Sequence, residues 1–146
     1  SFLLKLNTKL VFILNLKKII FMKYIKFILC LLFGLMFINA GLDKFLHYMP
    51  MPEMKPEQMK LFSAFGEIIW LMPLIGAVEI IGGLLFIIPK TRALGAIVIL
   101  PVMVGIVLHN FTLFPTVEGR IIAIVLLLIN IWVLIDNREK YKALLG

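Results

Sequence analysis

The sequence predicts an all-α fold, an integral membrane four-helix bundle with both termini cytoplasmic. Three observations predict it. The 146 residues are 62% hydrophobic and only 16% charged, with a mean hydropathy of +1.09, whereas soluble domains are about 45–50% apolar. Four apolar runs, about 26–46, 67–88, 92–114 and 120–136, lie near the length needed to cross the membrane; that is about 20 residues for a hydrocarbon core of about 30 Å. Basic residues then set the orientation. One side holds Lys23, Lys26, Lys90, Arg92, Arg138, Lys140 and Lys142, and the other holds Lys44, Lys55, Lys60 and Arg120. The richer side is expected in the cytoplasm.

Residues 1–21 hold Lys5, Lys9, Lys17 and Lys18, no acid, and no turn signal. MKYIK at Met22 has the look of a natural start, a basic head before an apolar run. Residues 1–21 are therefore read as an upstream extension or as a basic helix on the inner leaflet. Residues 22–142 are one membrane domain, and 143–146 are a tail. The net charge of +7 falls to +3 without residues 1–21. The lysines are explained by membrane ends, and no nucleic-acid partner is expected.

The first span, 26–46, competes with a signal peptide cut after Ala40. Ile38 is bulky for that cut and the apolar pattern continues through Leu42, Phe45 and Leu46, so a retained helix is expected. Gly34 and Gly41 recur at seven residues, suited to close helix packing. Lys44 closes the outer end with a stem able to snorkel. Residues 47–66 form the long loop. Pro50, Pro52 and Pro56 interrupt it, and a short interfacial helix is expected from Pro56 onward, with Met59, Leu61, Phe62 and Phe65 its apolar residues. The loop is read as a tethered surface loop, with a lid over the bundle as the alternative. The second span ends at Pro89, with Pro73 expected to kink its start. In the third, Pro101, Gly105 and His109 repeat at four-residue steps and share a side. The fourth is the most apolar, with Asn130 its one interior polar residue.

The chemistry-bearing residues are few. Glu79 stands out, because a carboxylate near a span centre costs roughly 2.5–3.5 kcal/mol to insert. With a rise of about 1.5 Å per residue from the outer ends, His109 lies roughly 8 Å deep, Asn39 10 Å, Asn130 15 Å and Glu79 18 Å. Asp43 and Lys44 sit above them. The depths predict a buried polar ligand site of Asn39, Asp43, Lys44, Glu79, His109 and Asn130, with Glu79 and His109 the catalytic candidates. Asn39 and Asn130 are equally explained as interhelical hydrogen-bond glue. Asp43 and Lys44 are equally explained as a helix end. Cys30 is a single thiol, without a disulfide or CxxC partner, and is expected to be packed and inert. His47, His109 and Glu79 have no tight ligand spacing, so no metal is expected. No GxGxxG, P-loop or GxSxG motif is present.

The runs GLMFINAGLDKF, with Lys44, AVEIIGGLLFIIPKTRALGA, with Glu79, Gly82, Gly83 and Arg92, and VLHNF, with His109, resemble the DoxX family over about Lys23 to Tyr141. The resemblance implies a four-helix bacterial inner-membrane protein. It also implies a link to redox and thiol homeostasis, since the family takes its name from a subunit of a thiosulfate:quinone oxidoreductase. The expected function is a membrane subunit of a redox complex, quinone- or thiol-linked, with no intrinsic cofactor. Quinone and a redox partner protein are the partners beside the lipid bilayer, and an oligomer stays open. The alternatives are a small proton-coupled transporter or lipid-ligand carrier using the same site, and a non-catalytic assembly factor.

Overall fold

The computed structural model describes residues 1–113 and 115–146. They form α1 (Phe2–Leu46), α2 (Pro56–Glu67), α3 (Leu71–Ile87), α4 (Arg92–Thr112), α5 (Val117–Asp136) and α6 (Arg138–Lys142). No strand occurs among the described residues, and the long apolar helices make an integral membrane bundle. By length and composition α1, α4 and α5 can each cross a membrane, and α2 with α3 adds a fourth if the bent pair is one span.

Residues 1–21 are not separate from the first span. Ser1 caps α1 through its hydroxyl, which accepts from the Leu4 amide at 3.5 Å. The helix then runs unbroken for 45 residues, about 67 Å at the standard rise. The expected span 26–46 is its second half, and residues 1–24 are exposed on every side. The helix stops at His47, which adopts the left-handed conformation at φ 52°. Its amide donates to the Asp43 carbonyl at 2.7 Å, the usual way a helix closes its last carbonyls.

The second span is shorter than the apolar run suggests. The helix breaks after Glu67, and α2 and α3 meet at 83°. Ile68, Ile69 and Trp70 make the corner, with the Leu71 amide bonded to the Ile68 carbonyl at 2.9 Å. These residues are as apolar as the span itself, so hydropathy alone does not mark the bend. Pro56 opens α2, as expected of a first-turn proline. Pro73 lies in the first turn of α3, where its missing N–H has no helical partner to lose. It therefore starts the helix instead of kinking it. The third span ends at Thr112, and its expected last residue, Phe114, lies outside the described residues. The fourth begins three residues early, at Val117, because Thr116 caps it by accepting from the Gly119 amide at 3.1 Å.

Glycines set how the helices meet. A Cβ at Gly41 would lie 2.6 Å from the Gly76 carbonyl oxygen, and one at Gly83 would lie 2.7 Å from that of Gly34. These two antiparallel pairs let the α1 and α3 backbones touch. Gly82 and Gly95 do the same between α3 and α4, against Ile99 and the Phe86 backbone. Below them is the core: Cys30, Phe33 and Phe37 of α1, Phe86 of α3, Ala96, Ile99 and Met103 of α4, and Val133 of α5. Phe33 stacks on Phe86 at 4.2 Å between centroids.

The expected inner ends are tied by polar contacts. Arg92, only 6% exposed, turns back to donate to the Phe86 and Ile87 carbonyls, each at 3.0 Å. Its charge meets the C-terminus of α3, where a cation is favoured. Lys26 pairs with Asp136, and the Tyr141 hydroxyl donates to the Ala93 carbonyl at 2.8 Å.

Candidate functional site

A cavity of about 600 Å³ opens between α3 and α4. Its lining comes from the spans and from Phe62 and Phe65 of α2. The 83° corner turns α2 off the α3 axis, and these two side chains join the lining. The lining is mostly apolar, including Ile75 and Val78 of α3 and Val98 and Val102 of α4. Two positions interrupt that lining with groups able to do chemistry.

The first is Glu79, 3% exposed and in the middle of α3. Its Oε2 is 2.6 Å from Nζ of Lys44, which also donates to the Ala40 carbonyl at 3.4 Å. Lys44 therefore bends inward along α1, where the sequence suggested an outward snorkel. Gly41, one turn earlier, allows it, since α1 and α3 touch there. A buried pair of this kind offsets the desolvation of both ions only through close geometry and further hydrogen bonds, and the Ala40 carbonyl supplies one. The second position is the outer half of α4. Pro101, Gly105 and His109 all line the cavity, as their four-residue spacing requires. Asn110 lines it too, with its side-chain amide donating to the Ile106 carbonyl at 2.9 Å.

Of the six residues expected to converge, the structure brings Lys44, Glu79 and His109 to this cavity. Asn39 and Asp43 serve the chain after α1. The Tyr48 hydroxyl donates to the Asn39 carbonyl at 2.9 Å and to its Oδ1 at 2.5 Å, and the Met49 amide donates to Asp43 Oδ1 at 2.6 Å. Asn130 is fully buried on α5, beside the core residue Val133, and neither side-chain polar atom bonds to a described residue. Phe62 and Phe65 belong to the segment expected at the interface, with a lid as the alternative, whereas Asn110 was not singled out by the sequence. The signal for Asn110 is its place beside His109. Cys30 is buried in the core. Among the described residues no group of three or more His, Cys, Asp or Glu could hold a metal ion.

Residues 22–114 match the family described as methylamine utilisation protein MauE. The chain belongs to the MauE family. This corrects the DoxX resemblance. The two longer runs that carried it are glycine-bearing apolar stretches, and all five of their glycines, Gly34, Gly41, Gly82, Gly83 and Gly95, meet a neighbouring helix. Such a pattern reports close helix packing and does not separate families that share it. The match to MauE covers residues 22–46 of α1 together with α2, α3 and α4, with Lys44, Glu79 and His109 inside it. The chain is also 37% identical over 71 residues to the uncharacterized protein YwoB of Bacillus subtilis (strain 168). That match covers 48% of this chain and 44% of the relative, so it spans less than half of either. No solved structure matches the chain. Family and helices together make this MauE-family chain a multi-pass membrane protein.

Proposed function

We propose that this MauE-family chain is a membrane component of a redox-linked system in a bacterial cytoplasmic membrane, and that its cavity binds a quinone. The observation that carries the reading is the buried Lys44–Glu79 pair set in the wall of an otherwise apolar cavity, with His109 on the facing helix. Apolar walls with a few convergent polar groups are the usual form of a small-ligand site. The family's tie to methylamine utilisation supports a place beside electron transfer or the maturation of a redox protein.

The residues fit such a ligand. Lys44 can donate to a ring oxygen, Glu79 can accept from a hydroxyl, and His109 can do either, depending on which nitrogen carries the proton. When bound, a quinone supplies a two-electron, two-proton couple. A partner redox protein exchanges the electrons, and Glu79 and His109 hold and pass the protons. The wall is mostly apolar, and Lys44, Glu79 and His109 are the groups of its lining able to exchange a proton. The orientation is part of the proposal: both termini face the cytoplasm, and the cavity opens toward the outer face.

The test is quinone-dependent redox activity of native membranes carrying Glu79→Gln. Loss of activity at normal protein levels supports the reading, and full activity removes Glu79 from it. The apolar lining also favours a second reading, carriage of a lipid-like ligand or proton-coupled transport. That reading requires uptake that depends on the proton gradient and fails in Glu79→Gln. If cavity variants act only through protein abundance, the chain is an assembly factor.

A further inference from the structure

The spans of α1, α3 and α4 contain seven glycines, and one of them is unlike the rest. At Gly34, Gly41, Gly76, Gly82, Gly83 and Gly95, an added Cβ would come within 2.9 Å of an atom of a neighbouring helix. Each of these is explained by packing. At Gly105 an added Cβ would meet nothing within 4 Å. Glycine weakens a helix interior, and here no close approach compensates. What Gly105 does have is a place on the cavity wall, between Pro101 and His109. Its missing side chain is space inside the site.

Its height in the site can be read from the packing. Gly82 of α3 lies against Ile99 of α4. One turn outward on each helix brings Glu79 level with Val102. Gly105 is about 4.5 Å outward from that level, and His109 about 6 Å further. So Gly105 sits between the Glu79 and His109 levels, which are separated by about 10 Å along the helix. The Glu79 and His109 side chains both lean into that interval, because side chains tilt toward their helix N-terminus and α3 and α4 run antiparallel, and Gly105 leaves open wall between them.

We infer that Gly105 determines the specificity of the cavity: a para-quinone ring lies against Gly105, one oxygen toward the Lys44–Glu79 pair and the other toward His109. The inference rests on the quinone-site reading above and deepens it. Gly105 touches the ring face and takes no part in proton transfer. A larger side chain at this position fills the ring's place without disturbing a helix contact.

The test uses the full chain in nanodiscs, titrated with decylbenzoquinone, with thermal stability measured in parallel. Wild type is expected to bind, Gly105→Ala to lose only a few-fold, and Gly105→Leu to lose ten-fold or more, with a melting temperature equal to or slightly above the wild type in both. Wild-type affinity in Gly105→Leu overturns the inference and leaves the quinone site standing. No binding to the wild type overturns both. A melting temperature that falls in step with affinity across Ala and Leu also overturns it, since Gly105 would then be a packing glycine.

Discussion

Lys44 and Glu79 are worth more to each other than either is alone. Lys44→Met leaves a carboxylate that is 3% exposed without its cation. The expected cost is about 3 kcal/mol, at the low end for a broken buried pair because the Lys44 side chain remains 24% exposed. The double variant Lys44→Met with Glu79→Gln should recover most of that loss, and thermal melts in mild detergent measure both. Equal stability of the two variants would show that the pair is not coupled. Asn130 makes the opposite case. It is fully buried with both polar atoms unbonded to described residues, so Asn130→Leu should raise stability by about 1 kcal/mol. A loss of similar size would mean that Asn130 holds a group such as an ordered water. Sequence reading placed both residues in the membrane by depth. Depth cannot give azimuth, and azimuth decides that Glu79 faces the cavity while Asn130 lies buried on α5.

At the scale of the element, the four apolar runs locate the helices, and their ends shift by a few residues except at the start of α1, which begins at Phe2 and not near Lys26. A break between the loop helix and the span was legible, but its place after Glu67 and its angle of 83° were not, because Ile68, Ile69 and Trp70 continue the apolar run through the bend. The four-residue repeat of Pro101, Gly105 and His109 was legible, because it depends on helical geometry alone. The α1–α3 glycines give a direct test of the packing. Gly83→Leu forces a side chain against the Gly34 carbonyl oxygen and should cost on the order of 1–3 kcal/mol through overpacking. Arg92 tests the α3–α4 turn. Arg92→Ala removes two charge-assisted bonds to the end of α3 and should lower stability by about 1.5–3 kcal/mol. Arg92→Lys should recover little, since one ammonium lacks the planar fork that reaches two carbonyls. A lysine variant as stable as the wild type would reduce Arg92 to a charge at the helix end.

At the scale of the whole molecule, a bundle of apolar helices holds a cavity with a charged pair in its wall and two phenylalanines of the bent helix α2 in its lining. Composition alone was enough for the membrane and the helices. The cavity needed the corner, the inward turn of Lys44 and the glycine contacts, none of which hydropathy records. The DoxX resemblance failed for a related reason, since its short runs are the packing surfaces of helices that many membrane proteins share. The central claim is that this cavity holds a quinone on behalf of a redox partner. Mass spectrometry on the protein, purified gently from its native membrane, tests it most directly by reading extractable small molecules and co-purifying proteins together. The account predicts a quinone at near-stoichiometric level beside a redox protein, with the quinone lost from Glu79→Gln. A wild-type preparation that carries a different ligand, or that holds equal quinone with and without Glu79, would contradict it.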